Sequence, residues 1–226
     1  IELTIEELVS VSAGADGGTI CATGYLLNSA TATNQNTLNW TSSGTGSFSD
    51  NSALQPEYTP SAADVLSGSV DLTLTATNNC GSDFNTITKT IVDTPTVNAG
   101  IDITISQGAT ADLSGIITNT SSVLWTFTGG SGTLTNPTSE SSAQYVSDPT
   151  DVGSITLTLT AQPLTVNGAN CGSAVVDTLI ISINPAPTAD AGDNRAICLN
   201  EVTTLGVAST PGYSYEWTSV PFDGSL

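Results

Sequence analysis

The stretch Ser69-Val70-Asp71-Leu72-Thr73-Leu74-Thr75-Ala76-Thr77 decides the fold, and it returns as Ser154-Ile155-Thr156-Leu157-Thr158-Leu159-Thr160-Ala161. Apolar side chains alternate strictly with polar ones in both copies, the period-two signature of a strand with one face in a core and the other in water. A half-buried strand that occurs twice marks an internal repeat, and the rest of the chain keeps its register. Ser12-Ala13-Gly14-Ala15-Asp16 returns as Asn98-Ala99-Gly100-Ile101-Asp102 and as Asp190-Ala191-Gly192-Asp193-Asn194. Trp40, Trp125 and Trp217 follow the three glycines at 26, 25 and 25 residues.

Val, Ile and Thr cluster in short segments bounded by Gly, Pro and Asn, and long helix-forming runs are missing, so the composition is all-β. Seven strands are expected in the first repeat, near 18–21, 25–31, 37–42, 46–49, 55–58, 69–77 and 84–92. The glycines of Gly44-Thr45-Gly46 and Gly129-Gly130-Ser131-Gly132 read as tight turns needing positive φ. Seven short strands in about 90 residues, with a Trp on the third, predict an immunoglobulin-like β-sandwich. The repeats stand head to tail: residues 1–8 as the last strand of an upstream repeat, 9–93 and 94–184 as whole repeats, and 185–226 as an incomplete one. That last part leaves unpaired edges, which points to a segment of a longer protein or to a partner that covers it.

The charge excludes several functions. Two bases, Lys89 and Arg195, face 21 Asp plus Glu, a net charge of −19. Such a chain repels phosphate backbones and anionic lipid, so neither nucleic-acid nor membrane-surface binding is expected. No apolar run of about 18 residues offers a membrane span, and no membrane insertion of this segment is expected. There is no His, which removes the commonest general base and the usual hydrolase triads, and the chain is read as a non-enzyme.

The pieces Ala13 to Cys21, Trp40 to Phe48, Tyr58 to Asp64, Leu72 to Thr77 and Asn79 to Ser82 together resemble the PKD-like repeats of very large Bacteroidetes surface proteins. These include the SprB-like adhesins of gliding motility. The resemblance covers essentially the whole chain; Ser106 replaces the early cysteine in the second repeat, and Asp193-Asn194 shifts the acid in the third. It implies a secreted, extracellular cell-surface protein, a stalk or adhesin filament segment for surface attachment or gliding. The alternative is a set of carbohydrate-binding or spacer repeats of an exported polysaccharide-degrading enzyme. The expected partners are neighbouring repeats of the same chain and an extracellular surface or polysaccharide.

Four cysteines fall at two equivalent places, an early one (Cys21, Cys198) and a late one (Cys80, Cys171). In the sandwich topology these lie at opposite poles, roughly 25 Å apart along a strand, whereas a disulfide needs Cα atoms within about 7 Å. Head-to-tail stacking brings Cys21 of one repeat beside Cys171 of the next, leaving Cys80 and Cys198 to pair outside the segment. The rival, Cys21 with Cys80, leaves Cys171 without a partner in its own repeat. With no Cys-x-x-Cys and no His, metal ligation by cysteine is disfavoured, and an oxidising compartment fits.

The three Trp residues read as core aromatics between sheets rather than sugar platforms, and Tyr58 and Tyr145 read likewise. Asp16 and Asp102 lie near repeat junctions and are the candidates for Ca²⁺, against a plain turn-capping role; no other cofactor is implied. Asp64 and Asp151 read as caps of the short turn before the long strand.

Overall fold

The computed structural model describes residues 5–206 and 214–218. It consists of two β-sandwiches joined by a short segment at 93–95. The first contains β1 (Ser10–Ser12), β2 (Thr19–Cys21), β3 (Tyr25–Leu26), β4 (Thr31–Thr33), β5 (Thr37–Ser42), β6 (Ser47–Phe48), β7 (Glu57–Thr59), helix α1 (Ala62–Ser67), β8 (Ser69–Asn78) and β9 (Gly81–Val92). One sheet runs β2-β9-β8-β5 and the facing one β3-β7-β6, with β1 and β4 pairing at the side. Strand β2 joins β9 in parallel, the other ladders being antiparallel.

The second sandwich contains β10 (Thr96–Asn98), β11 (Ile103–Ser106), β12 (Thr110–Leu113), β13 (Ile116–Thr118), β14 (Thr120–Thr128), β15 (Thr133–Thr135), β16 (Ala143–Val146), β17 (Gly153–Pro163), β18 (Thr165–Val166), β19 (Ala169–Asn170) and β20 (Val175–Asn184). Its sheets, β11-β20-β17-β14 and β12-β16-β15, repeat those of the first, again with one parallel pair, β11 with β20. Two facing sheets with this order make each unit an immunoglobulin-like sandwich.

The alternation read from the sequence is the packing. Val70, Leu72, Leu74 and Ala76 of β8 are buried, as are Ile155, Leu157, Leu159 and Ala161 of β17. Trp40 lies opposite Leu74 and Trp125 opposite Leu159 in the ladders, and both rings are buried in their cores. The outward threonines pair across strands: Thr73 Oγ1 is 2.8 Å from Thr86 Oγ1, and Thr96 Oγ1 is 2.6 Å from Thr118 Oγ1.

Several expectations are corrected. The strand expected over 25–31 is two strands, β3 and β4, because Leu27 and Ala30 turn inward between them and Ala30 N–H bonds Leu27 O. That lets β3 pair in one sheet and β4 with β1, a strand not foreseen. Helix α1 was also unforeseen, although Ser61 and Asp64 form a reciprocal capping box and Gly68 closes the helix at φ 76°. In the second sandwich the hairpin β18–β19 is an insertion before the late cysteine.

Of the strand expected at the amino terminus, residues 1–4 lie outside the described residues, and 5–8 form no strand. The described residues beyond Asn184 also form none, and Trp217, expected in a core, is 59% exposed. Its ring lies beside the backbone of Gly206.

The core should respond accordingly: Leu157→Ala is expected to lower stability by about 2–5 kcal/mol, whereas Thr158→Ala, on the outer face, should change it by less than about 0.5 kcal/mol. Urea unfolding followed by tryptophan fluorescence checks both, and equal costs would contradict the assignment of faces.

Candidate functional site: the junction between sandwiches

The junction is built at the far end of β2. Cys21 is its last residue, buried, with its carbonyl accepting from Gly24 N–H at 3.2 Å to start a tight turn. Ala22 N–H bonds Val92 O at 2.8 Å, so the turn is tied to the strand that leads into the linker. The second sandwich presents Cys171, fully buried, at the pole that receives that linker. The two cysteines form a disulfide with Cα atoms 4.9 Å apart, across 150 residues of sequence. Beside it, Asn167 Nδ2 donates to Thr19 O at 3.1 Å, and Gly172 packs on Thr94 and Pro95. In the chain-entropy model a loop this long contributes about 5 kcal/mol.

Of the other two cysteines, Cys80 and Cys198 are exposed thiols. Cys80 lies in the β8–β9 turn, its thiol 3.5 Å from Glu6 O. Cys198 begins a turn closed by Glu201 N–H to its carbonyl at 3.0 Å.

A cleft of about 470 Å³ opens at the junction, lined from the first sandwich by Tyr25, Asn28, Asp16 and Lys89 and from the second by Val166 and Asn167. Here the two sandwiches differ. By strand register, Gly18, Tyr25 and Lys89 occupy the places of Ile103, Ala111 and Ile181. Lys89 is buried where its counterpart is an apolar core residue, and the missing side chain at Gly18 leaves its ammonium a path outward. Its Nζ donates to Ala15 O at 2.8 Å and Gly17 O at 2.7 Å, and it lies 5.4 Å from the centre of the Tyr25 ring. Desolvation lowers the Lys89 pKa, opposed by the charge of Asp16.

The calcium candidates have other work. Asp16 Oδ1 accepts from Thr88 N–H at 2.7 Å and from Gly17 N–H at 2.8 Å, and Asp102 Oδ1 accepts from Ile180 N–H at 2.9 Å. Each carboxylate ties the loop before its parallel strand to the last strand of its sandwich. Among the described residues no three His, Cys, Asp or Glu gather to hold a metal ion. The amide donors of Thr88 and Gly17 hold the Asp16 carboxyl below the ordinary range.

Asp64 and Asp151 do more than cap a turn. Asp64 is buried and accepts from the N–H groups of Thr45, Gly46 and Ser61 at 2.8–2.9 Å and from the Tyr58 hydroxyl at 2.7 Å. Asp151 accepts from Ser131, Gly132 and Asp148 N–H and from the Tyr145 hydroxyl at 2.8 Å. The glycines read as positive-φ turns are corrected here: of that set only Gly129 has positive φ. Gly44 and Gly46, like Gly130 and Gly132, lack a side chain because a Cβ would collide with the buried Asp or the Tyr hydroxyl.

Burial opposes ionisation of Asp64, but the Ser61 amide, the Tyr58 hydroxyl and the Thr45 amide outweigh it and bring its pKa from 3.8 to about 2. Burial, then the bond to the carboxylate, push Tyr58 and Tyr145 up to about 12. For Asp151 the Ser131 amide leads and the shift is again downward.

No family model matches the sequence, and no curated protein does. Among solved structures, a human protocadherin-24 fragment is similar at 10% identity and TM-score 0.46, over 81% of this chain and all of the other. A domain of intimin matches at 11% identity and TM-score 0.41, over 77% of this chain and 99% of the other. A titin stretch of three immunoglobulin domains matches at 11% and 0.43, over 80% and 67%.

Two outcomes follow. Depressed carboxylate pKa values stabilise the fold above the unfolded value and lose that contribution as pH falls through the folded one. Raised tyrosine values stabilise below the unfolded value and lose it as pH rises. Stability of the first sandwich should therefore fall between pH 3.8 and about 2 and again between pH 10 and about 12. Tyr58→Phe should remove the first sandwich's share of the alkaline loss, leaving that of Tyr145 in the second, while the amide donors keep the acid one; circular dichroism against pH checks this, and an alkaline limb of unchanged size would contradict the clamp. Second, Cys21→Ser should leave both cores folded yet split the thermal transition into two, read by calorimetry. A single unshifted transition would show that the disulfide does not couple the sandwiches.

Proposed function

We propose that this chain is a load-bearing segment of an extracellular stalk or adhesin built from repeats 9–93 and 94–184, its partners being like repeats before and after. The observation that carries the reading is the 150-residue span closed by Cys21 and Cys171. Tension applied at the ends passes through residues up to 21, across the disulfide, and out from 171. Nearly all of both sandwiches then lies off the load path. A disulfide also fits export to an oxidising compartment, and among the described residues no helix is long and apolar enough to cross a membrane. The resemblance of its repeat motifs to those of the SprB-like surface adhesins of gliding motility supports this reading, since stiffness under drag would be useful there.

A second reading, saccharide binding by repeats attached to an exported polysaccharide-degrading enzyme, is favoured by the junction cleft. Its lining of Tyr25, Asn28 and Asn167 offers a ring and amides.

Single-molecule pulling from the two ends tests the load-bearing reading. Under oxidising conditions the span from 21 to 171 should not extend; with reductant the contour length should grow by roughly 500 Å, at about 3.3–3.6 Å per residue. If the oxidised chain extends as far as the reduced one at similar force, the reading fails.

A further inference from the structure

We propose that Cys80 and Cys198 are the two halves of a second staple of the Cys21–Cys171 kind, formed between two copies of this chain, Cys198 of one with Cys80 of the next. The partner is thus a repeat of the same type presenting a cysteine turn.

Three observations carry this. First, the receiving halves match: Asn79-Cys80-Gly81-Ser82 and Asn170-Cys171-Gly172-Ser173 are the same tetrapeptide, each between the two long strands of its sandwich, and Cys171 is already bonded. Second, the donating halves match: Cys21 and Cys198 each open a turn closed by an N–H three residues later, Gly24 and Glu201, and each lies seven or six residues after its Ala-Gly motif. Third, the pole around Cys80 is already arranged like the occupied one. Asn119, at φ 54°, holds the incoming linker of the second sandwich through Nδ2 to Thr94 O at 3.2 Å. Asn34, at φ 60°, holds residues 5–8 of the first in the same way, through Nδ2 to Leu8 O at 3.1 Å. Asn78 Nδ2 adds a bond to Glu7 O at 2.8 Å, and Asn79 Nδ2 one to Glu6 Oε1 at 2.8 Å. The thiol of Cys80 therefore stands beside the incoming segment, at the pole of the first sandwich equivalent to the one at which Cys171 of the second meets the Cys21 turn.

Bond formation needs an oxidant, and a low-molecular-weight disulfide such as oxidised glutathione suffices. One protein thiolate displaces a glutathione thiolate to give a mixed disulfide; the second protein thiolate then displaces the other. Two protein thiols become one disulfide, two protons are released, and two glutathione thiolates leave carrying the electron pair.

The test incubates the full chain, with its Cys21–Cys171 bond intact, in oxidised glutathione at high protein concentration. Non-reducing electrophoresis and mass identification of linked peptides follow. The expected result is a ladder whose links are Cys80–Cys198, exceeding the two like-with-like links by about tenfold. Both Cys80→Ser and Cys198→Ser should stop the ladder at residual dimers. Since both side chains are exposed, circular dichroism should show either variant folded. Links in the statistical proportion of two unrelated exposed thiols, a predominance of like-with-like pairs, a Cys80–Cys198 link within one copy, or thiols left as mixed disulfides would each overturn the proposal. The proposal deepens the load-bearing reading, and the two fail separately: a random ladder leaves the pulling result on Cys21–Cys171 untouched.

Discussion

With 21 acidic side chains and two bases, the carboxylates of this chain must find partners other than cations, and the structure supplies backbone amides. A buried carboxylate without compensation is costly enough to unfold a small domain, but three amide donors and a tyrosine hydroxyl satisfy it. Asp64 and Asp151 gather the glycine turn, the tyrosine strand and the turn before the long strand at one point, and thereby fix where β8 and β17 begin. Asp83 and Asp177 hold the amides of Val11 and Ala99, and so set the edge at which each chain enters its sandwich. Asp16 and Asp102 pin the loop that delivers the parallel strand. The acidity that repels phosphate backbones and anionic lipid is, at these six positions, a set of backbone fasteners.

The fasteners bear on the junction because the parallel strand they deliver carries Cys21. If the loop at 15–18 were free to shift, the cysteine turn would not meet Cys171 within the few ångströms a disulfide allows. Lys89 reinforces the same loop from within, its ammonium on Ala15 O and Gly17 O. The second sandwich has Ile181 at that place and Ser106 where a cysteine would stand. Elaboration of the loop and possession of an early cysteine thus occur together in one repeat and are missing together in the other.

What the sequence made legible was whatever depends on period and register. Alternation in 69–77 and 154–161 located the two central strands, the cores and the buried Trp40 and Trp125, because burial on one face of a strand leaves a period-two trace. The opposition of poles placed Cys21 near Cys171 and away from Cys80, because strand direction and length are enough to reject a bridge. Features that depend on a single three-dimensional coincidence left weaker traces. Ser61-Ala62-Ala63-Asp64 carried the capping-box signal of α1 but was masked by its sandwich context, and Gly44 and Gly46 looked like turn glycines when collision with Asp64 and Tyr58 was the reason. Lys89 gave no signal on its own; only superposing β9 on β20 shows a lysine where the repeat calls for isoleucine. Trp217 carried the register of a core residue, yet among the described residues it is 59% exposed, because register alone does not bury a ring.

The position of the disulfide also decides how two sandwiches behave as one body. A bridge inside a sandwich would protect that unit and leave residues 93–95 as a hinge. A bridge from one sandwich to the next gives the junction two covalent connections, the linker and the disulfide, with Asn167 bonded across the same seam. The two connections lie side by side, since Cys21 pairs in register with Val92 and Gly172 packs on Thr94 and Pro95, so the disulfide clamps the linker at its base and the Asn167 bond adds a third contact across the seam. The acidic surface adds to this: like charges along a string repel and favour the extended form within a Debye length of about 8–10 Å. Restraint at this junction comes from a disulfide that locks the linker where it leaves the first sandwich, so that bending at 93–95 has to move the cysteine turn and Cys171 together.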